Sequence, residues 1–581
     1  MAAAPTAAAR PSRPRRLARL GWAAVAALFL LSAVIVPTLA PVATTDDWAY
    51  ARSAEILLRD GRLRIFPVVA ASAVFPVVWG AGLGALLGPS LGVFRLSTVL
   101  LAAVGGVALY ALLRALGVSR GGSALGMAAH LFNPLAFALA FTFMTDAFFT
   151  ALLVLACLGY VRGLDGEASS RWTLAGSAAA AAALLTRQQG ALVPLAVAAF
   201  LLATGRLGRG RPALASLLRV GGLPLVAAVG YALWLRLGND VPKVQQAFLR
   251  EALGTGIVGA GRLAARLAFV ELAYLGFFLL PVAAALLPAL PTVLRGIGRN
   301  GWRVVALWAS TLAAGVAITW PGGQRMPYVQ QFFGTGGLGP PDVLGSRPHV
   351  LGPAALDALT LICVAASLAV ALLAGRASSA RSLPRGDRAG LLLAIGIGQV
   401  VGVLPPSFHY LNRGGTLDRY LLPLLPLGLA LALWATSGLR LALPLGWAVV
   451  TFLALFAVAG TRDYLTYMDA VWSLAARANA AGVPNDRLDA GSAWDGYHLY
   501  EASLATPGPA RTPPPRPWWV SFYAPLTTSD YVVTSRPQHD YVDVWRVEAG
   551  SLLGRGPTPL LLQRRPDAPW PPTPAPAAGT P

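Results

Sequence analysis

Charge is scarce in this chain: Asp, Glu, Lys and Arg make up 12% of its 581 residues, against 56% hydrophobic. Ordinary soluble domains carry about twice that share of charge to cover their surfaces, so a soluble fold is excluded and a polytopic membrane protein is implied. Cysteine occurs twice, at Cys157 and Cys363, each inside an apolar run, which argues against a disulfide framework or a thiolate metal site. The five histidines (130, 349, 409, 498 and 539) lack the spacing that sets two imidazoles on one helix face, so no zinc site is expected. Lysine is nearly absent, Lys243 standing alone among 46 basic residues; that bias carries no functional inference. A Gly-rich nucleotide fingerprint between strand and helix is also missing.

Long apolar runs are what the chain has instead. A bilayer core about 30 Å thick needs roughly 20 apolar helical residues per crossing. Stretches that qualify are 20–45, 96–113, 122–141, 146–161, 172–186, 188–205, 214–235, 267–290, 304–320, 353–375, 389–405, 420–437 and 441–460, about 13 transmembrane helices. The first follows Arg10, Arg13, Arg15, Arg16 and Arg19 and exceeds the 7 to 15 apolar residues of a cleaved signal, so it reads as an uncleaved signal anchor. Segment 65–94 is also uncharged, but counting it as a crossing would invert every later loop; it is read as lying in or re-entering the interface. The inner segments then hold 21 arginines against Asp165, Glu167 and Asp387, which places +18 of the net +21 on one side. By the positive-inside rule the N-terminus is cytoplasmic and the C-terminal region outside. The same sidedness removes nucleic acid as a partner, and a bacterial plasma membrane is the expected location.

This gives a cytoplasmic basic N-terminus (1–19), a transmembrane region (20–460) with a first outer loop (41–95), a small extracytoplasmic domain (461–565) and a Pro-rich disordered tail (566–581). The fold class is an all-α polytopic membrane protein with a small α+β C-terminal domain. That domain should open with a helix at 465–481 and contain strands at 531–535, 541–547 and 559–563. TPGPARTPPPRPWW (506–519) reads as a polyproline linker.

Acids placed on the outer side next to the membrane are the informative charges. Asp46 and Asp47 open an amphipathic helix carrying Tyr50, although Thr44 or Thr45 could make the pair a mere helix start. Asp146 stands at the outer mouth of the 146–161 span with the same capping alternative. Arg187, Gln188 and Gln189 form the turn between two spans, where an arginine needs water or an anion. Asp418, Arg419 and Tyr420 precede the 420–437 span, an internal Asp-Arg pair being the plainer reading. Glu271 lies near the start of the 267–290 span and reads best as an interfacial carboxyl.

In their order and common sidedness these pieces resemble the membrane-embedded glycosyltransferases of the GT-C class, in particular the protein O-mannosyltransferase and aminoarabinose lipid A transferase group. The parts are the acid pair with a tyrosine following (Asp46, Asp47, Tyr50), the lone Asp146, the turn Leu185, Thr186, Arg187 with Gly190, and the run Arg419 to Pro423. Two departures stand out: the second acid is Asp47 where Glu is usual, and His-Pro-Pro is absent from the first loop, ASAVFPVVW keeping only Pro76. The resemblance implies a polyprenyl-phosphate-linked sugar donor and transfer to a hydroxyl of a lipid, glycan or protein. Asp46 would be the general base, aided by Asp47 and Asp146; Tyr50, Arg187, Gln188, Arg419 and Tyr420 would bind substrate, without a cofactor or an essential divalent metal. A transporter or flippase for lipid-linked sugars is the alternative, but would favour ionisable groups at mid-span. An O-antigen ligase or polymerase would want a larger arginine-rich late loop, and a decayed binding protein would not keep the acids.

Overall fold

The computed structural model describes residues 13–164, 169–379, 385–410 and 415–570. Residues 1–12 of the basic N-terminus, Asp165, Glu167 and Arg381 of the charge count, and 571–581 of the tail lie outside them. The expected spans fall on helices: α1 (Arg13–Ile35), α4 (Leu91–Ala115), α5 and α6 (Arg120–Leu131, Pro134–Ala140), α7 (Thr145–Gly163), α8 (Ser169–Thr186), α9 (Leu192–Ala203) and α10 (Arg211–Trp234). The chain continues through α11 (Lys243–Gly254), α12 (Gly256–Phe278), α13 (Leu280–Leu286), α14 (Leu290–Arg295), α15 (Arg299–Thr319), α16 (Pro353–Ser379), α17 (Gly386–Gly402), α18 (Leu404–Ser407), α19 (Leu424–Ala435) and α20 (Leu443–Ala480). Among the described residues eight helical stretches are long and apolar enough to cross a membrane, or ten if each of two bent pairs is one span. Other expected spans fall on apolar helices below that length, among them Gly21–Ile35, Gln188–Ala203 and Leu280–Arg295. Several apolar runs are interrupted: α5 and α6 bend by 62° at the Asn133-Pro134 junction, and a helix of 12 residues such as α9 reaches only about 18 Å. Segment 65–94 holds α3 (Val74–Leu87), too short at 14 residues to cross.

Between α1 and α3 lies α2 (Asp47–Asp60), which buries Trp48, Tyr50, Ser53, Ala54 and Ile56. The turn before it is pinned from the bundle: the buried Arg95 guanidinium of α4 donates to the carbonyls of Thr38, Ala40 and Val42. Tyr464 of α20 donates its hydroxyl to the Thr44 carbonyl.

The helix expected at 465–481 is not separate. It is the far half of α20, a single 38-residue helix, because nothing between Gly460 and Ala480 breaks the pattern and Asp463, Tyr464, Met468 and Trp472 continue a buried stripe. Beyond it come α21 (Ser492–Ala505) and α22 (Trp518–Phe522), and a four-stranded sheet that packs on α20. A two-residue hairpin in the α15–α16 loop supplies β1 (Phe333–Gly334) and β2 (Gly337–Leu338); the domain supplies β3 (Leu488–Asp489), β4 (Tyr531–Thr534), β5 (Val542–Ala549) and β6 (Thr558–Arg564) in the order β3-β4-β6-β5. The segment read as a polyproline linker is instead fastened within the domain: Arg511 N–H donates to the Pro525 carbonyl, and the Thr512 hydroxyl to the Thr527 carbonyl. The first tail residues pack too, Trp570 lying edge-on to Trp545.

The domain closes over the first loop. Arg52 and Arg64 of that loop both pair with Glu501 of α21, at 2.8 and 3.0 Å, and Tyr497 donates to Glu55 at 2.9 Å. Gly496 lets the two helices touch, since a Cβ there would sit 2.3 Å from Trp48 Cε2. Gly496→Ala is therefore expected to push α21 off α2 and destabilise the protein by about 1 to 3 kcal/mol, read as a lower melting temperature of the detergent-solubilised chain.

Candidate active site

Asp46 is the N-cap of α2, yet its carboxylate makes no capping bond; the acid is not used up in starting the helix. One oxygen accepts from Arg419 Nη2 at 3.0 Å and the other from the Tyr523 hydroxyl at 2.8 Å. The side chain keeps 29% of its exposure, so the carboxylate remains reachable. Asp47 is different. Buried, it accepts from the Thr44 N–H and hydroxyl, both at 2.7 Å, from Thr45 N–H at 3.1 Å and from Phe143 N–H at 3.3 Å. With its lone pairs so engaged it knots the turn and holds Asp46 in place, and it has little left to orient an acceptor.

Asp146, in the first turn of α7, makes no cap either; it is fully buried against Arg187 at 2.8 Å. Arg187 stands over the Tyr420 ring at 5.0 Å and Arg419 over the same ring at 5.6 Å, so two guanidiniums from distant segments share one aromatic ring. Arg419 does not pair with its neighbour Asp418. That carboxylate accepts from the backbone N–H groups of Gln331, Phe332 and Phe333 at 3.3, 2.9 and 2.8 Å, tying the α15–α16 loop to the start of the last-but-one span and freeing Arg419 for Asp46. Buried Tyr50 lies in the field of all four charges: burial first, then Asp46, raise its phenol above the ordinary range, with Asp146 adding and Arg419 and Arg187 opposing.

Asp46, Asp146, Arg187, Arg419, Tyr420 and Tyr50 are thus brought together. Gln188 is not; it is exposed and donates to the Ala70 carbonyl at 3.0 Å. Glu271 is buried among the helices, without the water access expected of an interfacial carboxyl.

Two residues that sequence reasoning missed complete the pocket. Tyr523 comes from the segment just after α22. Asp342, in the α15–α16 loop, accepts from the Thr45 hydroxyl at 3.1 Å, and its own carbonyl accepts Ser492 N–H at 2.9 Å. Nothing in the motif order marks either, since both reach Asp46 only through tertiary packing. Burial, then the neighbouring Asp46 charge, push the Asp342 carboxyl up to about 7, against the hydroxyls of Thr45 and Ser492 and the charge of Arg419. A carboxyl raised in this way costs the fold nothing below its unfolded pKa. The cost grows as pH climbs from there to about 7 and is complete above it. Asp342→Asn is expected to raise the melting temperature over wild type by roughly 2 °C at pH 8.5, with the difference vanishing near pH 4, in thermal scans at both pH values.

The helical bundle thus gathers carboxylates and guanidiniums around the partly exposed Asp46. Among known families, residues 75–234, from α3 through α10, match the model described as dolichyl-phosphate-mannose-protein mannosyltransferase. This partial match bears out the resemblance read from the motifs to the protein O-mannosyltransferase group. The matched part holds Asp146 and Arg187, while Asp46 and Arg419 lie outside it. No curated protein matches the sequence. Among solved structures the chain is similar to ArnT from Cupriavidus metallidurans bound to undecaprenyl phosphate (15% identity, 96% of this chain and 100% of that one, TM-score 0.42). It is also similar to apo ArnT of the same organism (17%, 81% and 82%, TM-score 0.38) and to the Saccharomyces cerevisiae protein O-mannosyltransferase Pmt1-Pmt2 complex bound to the sugar donor (17%, 39% and 35%, TM-score 0.28).

Proposed function

We propose that this chain moves a sugar from a polyprenyl-phosphate-linked donor to an acceptor hydroxyl on the non-cytoplasmic side of a bacterial plasma membrane, with Asp46 as general base. The observation that carries the reading is the reachable Asp46 carboxylate beside two arginines that share the Tyr420 ring. Nucleotide sugars are not at hand outside the cytoplasm, so the donor must come in the membrane. The matched family is named for dolichyl-phosphate mannose, and one solved relative holds undecaprenyl phosphate.

Asp46 takes the proton of the acceptor hydroxyl as its oxygen attacks the anomeric carbon. The bond from that carbon to the phosphate oxygen breaks on the opposite face, inverting the configuration. Charge gathering on the departing polyprenyl phosphate is met by Arg187 and Arg419 through charge-assisted hydrogen bonds. Asp146 aims Arg187, and Asp47 fixes the turn that carries the base. Side chains supply both base and cation, and no cofactor enters the scheme. The test is transfer in membranes: undecaprenyl phosphate charged with tritiated mannose, or with aminoarabinose, should lose its label to a non-carrier product only where the chain is present. Label that stays on the carrier in both reactions would overturn the reading.

A further inference from the structure

A carboxylate that is to accept a proton needs a lone pair open to the acceptor, yet both Asp46 oxygens are engaged in the structure. Arg419, buried, holds one; the other accepts the phenolic O–H of Tyr523 at 2.8 Å, with the Thr45 hydroxyl farther off at 3.5 Å. The two nearer partners are unlike. Arg419 is the charge partner of the base and belongs to the bundle. Tyr523 presents a neutral hydroxyl on a carbon, chemically the group an acceptor alcohol would present, and it arrives from a different part of the fold. Its ring is seated edge-on against Trp48 and Trp518, each at 5.3 Å between centroids. Burial and the charges of Asp46 and Asp342 raise the phenol above its ordinary range, so it keeps its proton and stays a donor.

Resting on the base assignment above, we infer that Tyr523, a positioning residue of the C-terminal domain, occupies the acceptor-hydroxyl place on Asp46 and keeps water off that oxygen until the acceptor displaces it. The purpose is chemical. Water at this position would be activated like an alcohol: its oxygen would bond to the anomeric carbon, the carbon–phosphate oxygen bond would break, Asp46 would take the proton, and free sugar and polyprenyl phosphate would leave. A phenol cannot be consumed unless its oxygen reaches the anomeric carbon, and Tyr523 is tethered by its ring packing to the side of the pocket.

The test uses the full-length chain in nanodiscs and two readouts. The first needs no turnover: carbodiimide coupling of glycine ethyl ester to Asp46, quantified by mass spectrometry, should rise at least fivefold in Tyr523→Phe and further in Tyr523→Ala. It should be unchanged in Trp518→Phe, whose ring touches Tyr523. The second follows free tritiated sugar released from charged undecaprenyl phosphate; Tyr523→Phe should raise the ratio of hydrolysis to transfer at least fivefold while total donor consumption stays within a factor of two. Unchanged labelling, or a fall in hydrolysis and transfer together, would overturn the inference and leave Asp46 as base untouched. Wild-type activity of Asp46→Asn would instead bring down the base assignment on which it rests.

Discussion

Replacing Asp46 by Asn is expected to lower sugar transfer by at least a hundredfold at matched expression. General-base help is worth about 10² to 10⁴ in rate, and Asn keeps the size of the side chain while losing the site that accepts the proton. Asn can still accept from Tyr523 through its amide oxygen, so the pocket stays closed. The loss should then appear in the chemical step, with labelled donor still retained by the protein. Full activity in Asp46→Asn together with a dead Asp146→Asn would move the base to α7. That outcome is disfavoured by geometry: Asp146 is fully buried and locked to Arg187 at 2.8 Å, whereas Asp46 has 29% exposure.

The second large effect is expected at Arg187. Arg187→Ala removes a cation from the departing phosphate, which by analogy with loss of one preorganised donor costs about 10² to 10³ in turnover. It also strands the buried Asp146 carboxylate. Breaking such a pair on one side typically costs about 3 kcal/mol or more. The two consequences separate in a double variant: Arg187→Ala with Asp146→Asn should recover most of the melting temperature and none of the activity. Recovery of both would mean that Arg187 serves only to neutralise Asp146. Transfer by the single variant at the wild-type rate would remove Arg187 from the reaction altogether.

These expectations also mark what could be read from the chain alone. Asp46, Asp146, Arg187 and Arg419 were legible because membrane insertion makes charge costly, so an acid or arginine at a span mouth needs a reason, and the arginine asymmetry gave all four a common side. The capping explanation for the acids was equally open in the sequence, and only the geometry removed it, since neither Asp46 nor Asp146 bonds to a helix end. Asp47 looked like the twin of Asp46 because adjacent residues share a neighbourhood in sequence; in space one faces the pocket and the other the turn. Strands 531–534 and 542–549 followed from their β-branched and aromatic runs, and 558–564 from its short leucine run. Tyr523 and Asp342 could not follow from any local pattern, being 477 residues from Asp46 in one case and in a glycine-rich loop in the other. Apolar length by itself does not register a bend such as that at Pro134.

The unbroken α20 ties these parts together mechanically. At 1.5 Å per residue its 38 residues extend about 57 Å, nearly twice the hydrocarbon thickness of a bilayer, so it works as a mast whose foot is sunk in lipid and whose upper half carries the sheet. Azimuth and height of everything on that mast are therefore set by residue number: one residue more or less turns it by about 100° and shifts it by about 1.5 Å. An insertion in a surface turn of the domain leaves that setting alone, whereas one between Leu443 and Ala480 resets it, as a change to a key's shaft moves all its teeth.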